Sequence, residues 1–134
     1  MPSRRRIRDL RSEQGQTAVE FALLAPMLVV LLLGVVQVGV AFNRYLTVTD
    51  AARAGARKAV VLRFSGGSVD DVKQAVRDAA PGLDTIKLKI DVVAPSWSSG
   101  SDVTVTVRYP YDIGLLGWVV ASGDVTSAIK ERIE

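Results

Sequence analysis

The distribution of apolar residues along the chain first predicts a membrane-spanning helix. From Phe21 to Phe42 there are 22 residues without a charged side chain, and most of them are Leu or Val. An α-helix of this length rises about 33 Å at about 1.5 Å per residue, which is enough to cross the hydrocarbon core of a bilayer. Pro26 lies inside the stretch and removes one backbone hydrogen bond, so a bend is expected there.

Two other interpretations of this stretch stay open from the residues alone. A buried core helix would have to be surrounded on all sides, and a chain of 134 residues has little material for that. A cleaved secretory signal would use Gly39-Val40-Ala41 as its site and leave Phe42 as the N-terminus. Against a signal, the stretch exceeds the roughly 7–15 apolar residues usual there. A carboxylate, Glu20, also precedes it, and a carboxylate at the edge of a span is costly enough to be a functional candidate.

A helical pattern continues beyond the apolar stretch. The segment 43–62 contains no proline and is rich in alanine, so we expect the helix to extend to about residue 63. One face of this extension carries residues at alternating spacings of three and four, mostly small in its middle: Tyr45, Val48, Ala52, Gly55, Ala59 and Leu62. Small residues permit a second backbone to approach closely. That backbone is either the domain's own sheet or a helix of another subunit, and the pattern leaves both open.

A second helix is predicted after the break at residues 65–67. Ser68 has Asp71 three residues later, the spacing of a capping box, and Asp70 joins Asp71 in the first turn, where the helix dipole favours negative charge. We expect this helix to end near Ala80. The two carboxylates could also be read as acid/base or metal-binding groups, but capping explains both.

Two alternating segments then predict antiparallel strands that are buried on one face. Their apolar positions are Ile86, Leu88, Ile90 and Val92 in the first, and Val103, Val105, Val107 and Tyr109 in the second. The segment 125–133 could add a third strand. Between them, the apolar segment 113–121 contains Trp118. It is interpreted as a short buried element, with a surface that touches membrane or a partner as the alternative.

The predicted fold class is therefore α+β. A long N-terminal transmembrane helix would continue into a small extracytoplasmic domain with one further helix and a two- to three-stranded antiparallel sheet. The corresponding domain division is a basic cytoplasmic leader at 1–15, a transmembrane helix at 16–42, and an extracytoplasmic domain at 43–134 that includes the helix extension 43–63.

The net charge of +3 comes from the first fifteen residues. They contain five arginines against Asp9 and Glu13, whereas the rest of the chain has twelve basic and twelve acidic residues. No aromatic residue is interleaved with these arginines to stack on bases, so no nucleic-acid partner is expected. The positive-inside rule explains the tail better, since it would hold the N-terminus in the cytoplasm and place the C-terminal domain outside.

The residue types that most often carry chemistry are missing. The chain contains neither cysteine nor histidine, and no phosphate-binding glycine loop or Ser/His/Asp set is recognisable. We therefore expect a protein that is not an enzyme, with no catalytic residue, metal, cofactor or small-molecule substrate.

Residues Gly15-Gln16-Thr17-Ala18-Val19-Glu20-Phe21 resemble the cleavage and assembly signal of type IV prepilins. In that signal a glycine precedes the cut, and glutamate stands at the fifth mature position, followed by an aromatic residue and a membrane helix. A longer segment, Gly15 to Arg57, resembles TadE-like proteins of the tight-adherence (Tad/Flp) system. It includes Ala51-Ala52-Arg53-Ala54-Gly55-Ala56-Arg57 after the span and covers about a third of the chain.

This resemblance implies a minor pilin or pseudopilin with the lollipop shape of pilins. A membrane-embedded prepilin peptidase would cut between Gly15 and Gln16, and Glu20 and Phe21 would serve assembly with other pilin subunits and the assembly machinery. The extra domain, absent from the very short major pilins of such systems, favours a minor subunit. Gln16 departs from the hydrophobic aromatic residue that many type IV pilins carry at this position.

The implied location is the cytoplasmic (inner) membrane as a single-pass protein in contact with lipid, and a cell-surface pilus after assembly. The alternative function is an uncleaved single-pass membrane protein whose extracytoplasmic domain binds an envelope partner. The mature N-terminus distinguishes the three possibilities. It would be Gln16 for a processed pilin, Met1 for an uncleaved membrane protein and Phe42 for a secreted domain.

Overall fold

The described residues form two helices and one three-stranded sheet. The computed structural model describes the backbone of residues 6–66, 68–115 and 117–133, and the side chains from residue 15 onward within these ranges except at 63, 65 and 115. The elements are α1 (Arg6–Ser65), α2 (Val69–Asp78), β1 (Lys89–Val93), β2 (Asp102–Leu115) and β3 (Trp118–Arg132). The predicted α+β class, with one long apolar helix, one further helix and an antiparallel sheet, is confirmed.

Helix α1 passes through two compact units, one ending at Gln37 and the other beginning at Val38. From residue 15 onward the first unit is a mostly apolar helix with exposed side chains and with Pro26 inside it. Within Gly15–Leu62 this helix is long and apolar enough to cross a membrane, and its most apolar stretch is not buried by any part of the chain. The first residues of the predicted leader, 1–5, lie outside the described residues, and from Arg6 the described backbone is already helical.

The second unit is built on the small-residue face of α1. The buried residues of this face are Val48, Ala51, Ala52, Gly55, Ala56, Ala59 and Leu62. A Cβ added at Gly55 would overlap Cγ2 of Val76 on α2 and would lie 3.2 Å from Cγ1 of Val105 on β2. The close neighbour of this face is therefore the chain's own domain, which resolves the alternative left open by the sequence. Tyr45, predicted on the same face, is 48% exposed and lies outside the core.

The turn between the helices ends α1 and begins α2 with local hydrogen bonds. Gly66 has a φ of +64°, a conformation that glycine adopts without strain, and its N–H donates to the carbonyl of Leu62 at 3.1 Å. At the start of α2 the backbone N–H of Ser68 donates to a carboxylate oxygen of Asp71 at 2.6 Å, and the Ser68 hydroxyl donates to the same oxygen at 3.2 Å. These hydrogen bonds lower the pKa of Asp71, the backbone one contributing most. The predicted capping role of Asp71 is confirmed.

The sheet has the order β1-β2-β3 and is antiparallel throughout. The predicted inward face of β2 is confirmed, because Val103, Val105, Val107 and Tyr109 are all buried. On the first strand the prediction was wrong at Ile86, which is 92% exposed because β1 begins only at Lys89. The backbone N–H of Asp84 donates to the hydroxyl of Tyr109 at 3.4 Å, which ties the loop before β1 to the middle of β2.

The described residues of the segment 113–121 are not core, and this prediction was wrong. Strand β3 starts at Trp118, so residues 113–115 and 117–121 form the end of a long β2–β3 hairpin, which we call the hairpin tip. Trp118 is 80% exposed, and Val119 and Val120 are each 66% exposed. The cause is length: β2 and β3 have 14 and 15 residues against five in β1, so the hairpin continues beyond its pairing with β1.

Gly55→Ala tests the close packing of α1 on α2 and β2. Alanine gains about 1 kcal/mol of helix propensity over glycine, but overpacking a filled core typically costs about 1–3 kcal/mol. Since the new methyl group would overlap Val76, we expect a net loss of up to about 2 kcal/mol in the free energy of unfolding. The measurement is the thermal unfolding of the full chain in detergent micelles, followed by circular dichroism.

Two further variants give this experiment its controls. Gly39→Ala adds the same methyl group to the same helix where nothing lies within 4 Å, and should not destabilise the protein. In a Val76→Ala background the methyl group at position 55 would occupy vacated space, so the cost of Gly55→Ala should fall sharply. An equal cost in both backgrounds would contradict the proposed contact.

Asp71→Ala should lower the melting temperature at neutral pH. Because the folded-state pKa of Asp71 is lowered, its stabilising effect is present above the unfolded pKa of about 3.9 and is lost as the pH falls through the folded value. The difference from the wild type should therefore shrink below about pH 4. Asp70→Ala is the matched control: its carboxylate lies 3.9 Å from Lys73, so a smaller effect is expected. A pH-independent difference for Asp71→Ala would contradict the role of its charge.

Candidate processing and assembly site

The four residues singled out by the sequence lie together on one exposed stretch of α1. Gly15, Gln16, Glu20 and Phe21 fall within its described part, and all are exposed. A helix brings residues four apart onto the same face. Gln16 and Glu20 therefore lie one turn apart on one face, and Phe21 follows on the adjoining one.

Gln16 and Glu20 are joined by a hydrogen bond. The side-chain amide of Gln16 donates through Nε2 to Oε1 of Glu20 at 2.9 Å. Such a pair one turn apart adds about 0.2–0.5 kcal/mol to an isolated helix. This role of the Gln16 side chain was not predicted from the sequence, although the spacing of four between an amide and a carboxylate could have indicated it.

The charge of Glu20 is otherwise uncompensated in the described part of the chain. No basic side chain among those described from residue 15 onward forms an ion pair with it. One carboxylate oxygen accepts from a neutral amide, and a carboxylate can accept further hydrogen bonds through the other. The arrangement can therefore receive a cation or a donor from outside the chain.

The residues next to this pair are an exposed aromatic side chain and a glycine with open space around it, and neither is an ionisable group. Phe21 is 68% exposed, and the apolar side chains that follow it are exposed as well. A Cβ added at Gly15 would meet no atom within 4 Å, so packing inside the chain does not require glycine there. The stretch thus combines a polar pair, an exposed aromatic ring and an unfilled glycine position.

The ion pairs found elsewhere in the described residues have structural roles. Arg53 contacts Asp50 at 3.3 Å on the exposed side of α1, and Lys130 contacts Asp102 at 2.7 Å across β2 and β3. The hydrogen bond from Lys130 lowers the pKa of Asp102. Over the ranges that the structure describes, no three acidic side chains are grouped as a metal site would need.

The sequence model of TadE-like proteins matches residues 15–57, about a third of the chain. The match begins at Gly15 and ends at Arg57, just past Gly55, so it includes both the candidate site and most of the small-residue face of α1. No curated protein and no solved structure matches the chain. The resemblance to the TadE-like family is confirmed over these residues.

The family match and the exposed apolar helix both bear on function. A helix of this length and composition, left uncovered by the rest of the chain, is typical of a membrane anchor. Over residues 15–57 the chain is similar to TadE-like proteins, a family associated with Tad pili. These two findings are the basis for the function proposed below.

Proposed function

We propose that this protein is a minor pilin or pseudopilin that is trimmed between Gly15 and Gln16 by a prepilin peptidase and is then assembled into, or primes, a tight-adherence pilus or secretion apparatus. The observation that carries the proposal is the Gln16–Glu20 pair at the start of an exposed apolar helix, inside the family-matched residues. The role is structural, and no catalytic step is assigned to the chain.

The position of the cut is supported by exposure and by charge. Gly15 is exposed and no side chain of the described residues packs against it, so a protease could reach this peptide bond without disturbing the core. The residues before it contain five arginines, which favour a cytoplasmic location. In this proposal the N-terminus faces the cytoplasm of an inner-membrane protein, and the domain of the second unit lies outside.

Cleavage would create a cation for Glu20, which has no ion-pair partner among the side chains described from residue 15 onward. The new α-ammonium group would form at Gln16, and in an assembly it could pair with Glu20 of a neighbouring subunit. In a low-dielectric helix bundle each of these charges is costly alone, so the pair would be strongly favoured and would fix the stagger between subunits. Gln16 would keep its amide on one oxygen of Glu20 and leave the other for the neighbour's ammonium group.

Gly15→Ala should prevent removal of the leader. Coexpressed with a prepilin peptidase, the wild type should yield a shorter product whose N-terminal residue is Gln16, whereas the variant should keep its full length in mass spectrometry. Gly39→Ala is the control, because it makes the same substitution at another open position of α1 and should be trimmed normally. Normal trimming of Gly15→Ala would exclude this site. A wild-type product that begins at Met1 or Phe42 would exclude the proposed processing.

Glu20→Ala should leave membrane insertion intact and prevent assembly into fibres. Removing a carboxylate at the edge of the apolar stretch makes insertion easier, so the variant should remain in the membrane fraction. It should be absent from sheared fibres, because the partner of the neighbour's ammonium group is gone.

Two variants serve as controls for Glu20→Ala. Asp50→Ala removes another exposed carboxylate from α1, one that pairs within its own chain with Arg53, and should assemble normally. Gln16→Ala keeps the backbone amine and should assemble better than Glu20→Ala. Wild-type amounts of Glu20→Ala in fibres would remove the proposed role of this residue.

A further inference from the structure

We infer that the hairpin tip, residues 113–115 and 117–121, touches the lipid surface of the membrane that anchors the chain. This inference requires only the membrane anchor, so it holds with or without leader cleavage and fibre assembly. It concerns a part of the chain outside the family-matched residues 15–57.

The tip is apolar and uncharged on both faces. Between Asp112 and Asp124 the sequence contains no ionisable side chain. Successive residues of a strand point to opposite faces, and Trp118, Val119 and Val120 are all exposed. A surface of this kind costs free energy in water and usually marks a contact with a protein or a membrane. A lipid phase can cover both faces of a ribbon at once, whereas a groove in a partner covers chiefly one.

The ribbon is held together up to its end. The strands stay in register from Asp102↔Arg132 to Leu115↔Trp118, with one irregularity at Ile113/Gly114. Tyr111 covers Gly123: a Cβ added at this glycine would lie 3.2 Å from the tyrosine ring. At the turn, Gly117 has a φ of +87°, which glycine adopts without strain. The tip is thus a preformed element that needs no refolding to make a contact.

Two contacts of the second unit orient the hairpin. Helix α2 is separated from the end of α1 by three residues and packs on it, with Val76 against Gly55. A helix that returns along α1 in this way has its C-terminal end on the Val48 side of Gly55. The loop after α2 is bonded to Tyr109 through the N–H of Asp84. Strand β2 therefore runs from the Leu62 end of α1 towards its Val48 end, and the tip, which follows Tyr109, extends in the direction of Phe42.

The length of the hairpin is sufficient to reach the level of Phe42. From Gly55 back to Phe42 the helix rises about 20 Å at about 1.5 Å per residue. From Val105, which packs beside Gly55, β2 extends about 33 Å to Leu115 at about 3.3 Å per residue. Even a strand inclined by about 50° to the helix would cover that distance. Phe42 is the last apolar residue before Arg44, the first charged residue after the span, so the tip arrives where a bilayer surface is expected.

The composition of the tip suits this location. Tryptophan is enriched at membrane–water interfaces, where its apolar ring and polar N–H are both accommodated. Valines beside it would be withdrawn from water. Because the same chain carries the anchor, the lipid is always within reach, and even a weak contact would be populated.

The test uses the two tryptophans of the full chain in phosphatidylcholine vesicles. Trp97→Phe leaves Trp118 as the single fluorophore, and Trp118→Phe leaves Trp97, which lies in the loop between β1 and β2. With phosphatidylcholine brominated high on its acyl chains, we expect the Trp118 emission to be blue-shifted and largely quenched. The Trp97 emission should be little affected.

A charged substitution gives a second readout. Val120→Glu in the Trp97→Phe protein should reduce the quenching of Trp118, whereas Val93→Glu, at another exposed valine on β1, should not. Both positions are on the surface, so the melting temperature should stay unchanged. Trp118 emission that brominated lipid does not quench would overturn the inference. This holds whether the ring is then found in water or is shielded by a second copy of the chain.

Discussion

The close approach of α1 to α2 and β2 at Gly55 is the contact on which the folded domain depends. A helix with large residues on this face would stand further from the sheet, and Val72, Val76 and Val105 would lose their common contact. The chain has no disulfide to compensate for a loosened core, because it contains no cysteine. One helix consequently performs two tasks: its first part is apolar and uncovered, and its second part supplies the small-residue face around which the domain folds.

The elements that the sequence predicted well are those whose periodicity repeats over several turns or several strand residues. The alternation of Val103, Val105, Val107 and Tyr109 has a single interpretation, and the small-residue face of α1 was recognised with only Tyr45 misplaced. What the pattern could not supply was the neighbour of that face. Alanine and glycine permit close packing against any backbone, and only the contacts with Val76 and Val105 identify it.

The errors occurred where hydrophobicity does not reveal burial. Trp118, Val119 and Val120 follow one another without alternation, so their composition suits a core element and an exposed ribbon equally well. Ile86 continues the apolar spacing of β1 but precedes the first residue that pairs with β2. At the candidate site, the residue types pointed to Gly15, Gln16, Glu20 and Phe21, and the structure adds the hydrogen bond from the Gln16 side chain to Glu20. The place of the cut and the partner of Glu20 involve other molecules and therefore remain proposals.

The uneven lengths of the three strands also limit how deeply the hairpin tip can insert into the bilayer. Strand β1 pairs with β2 only up to Lys89↔Arg108, so the tip strands, in the described ranges, pair only with each other. Beyond that pair, the outer edge of β2 has no neighbouring strand in the described ranges, and backbone N–H and C=O groups at such an edge depend largely on water. Hydrocarbon cannot satisfy such groups, and each one buried there would cost several kcal/mol, about what is lost with an unmade hydrogen bond. The backbone of the ribbon therefore limits how deeply its apolar side chains can enter the lipid. The ribbon can lie among the headgroups, where water still reaches its edges, but it cannot insert into the hydrocarbon core.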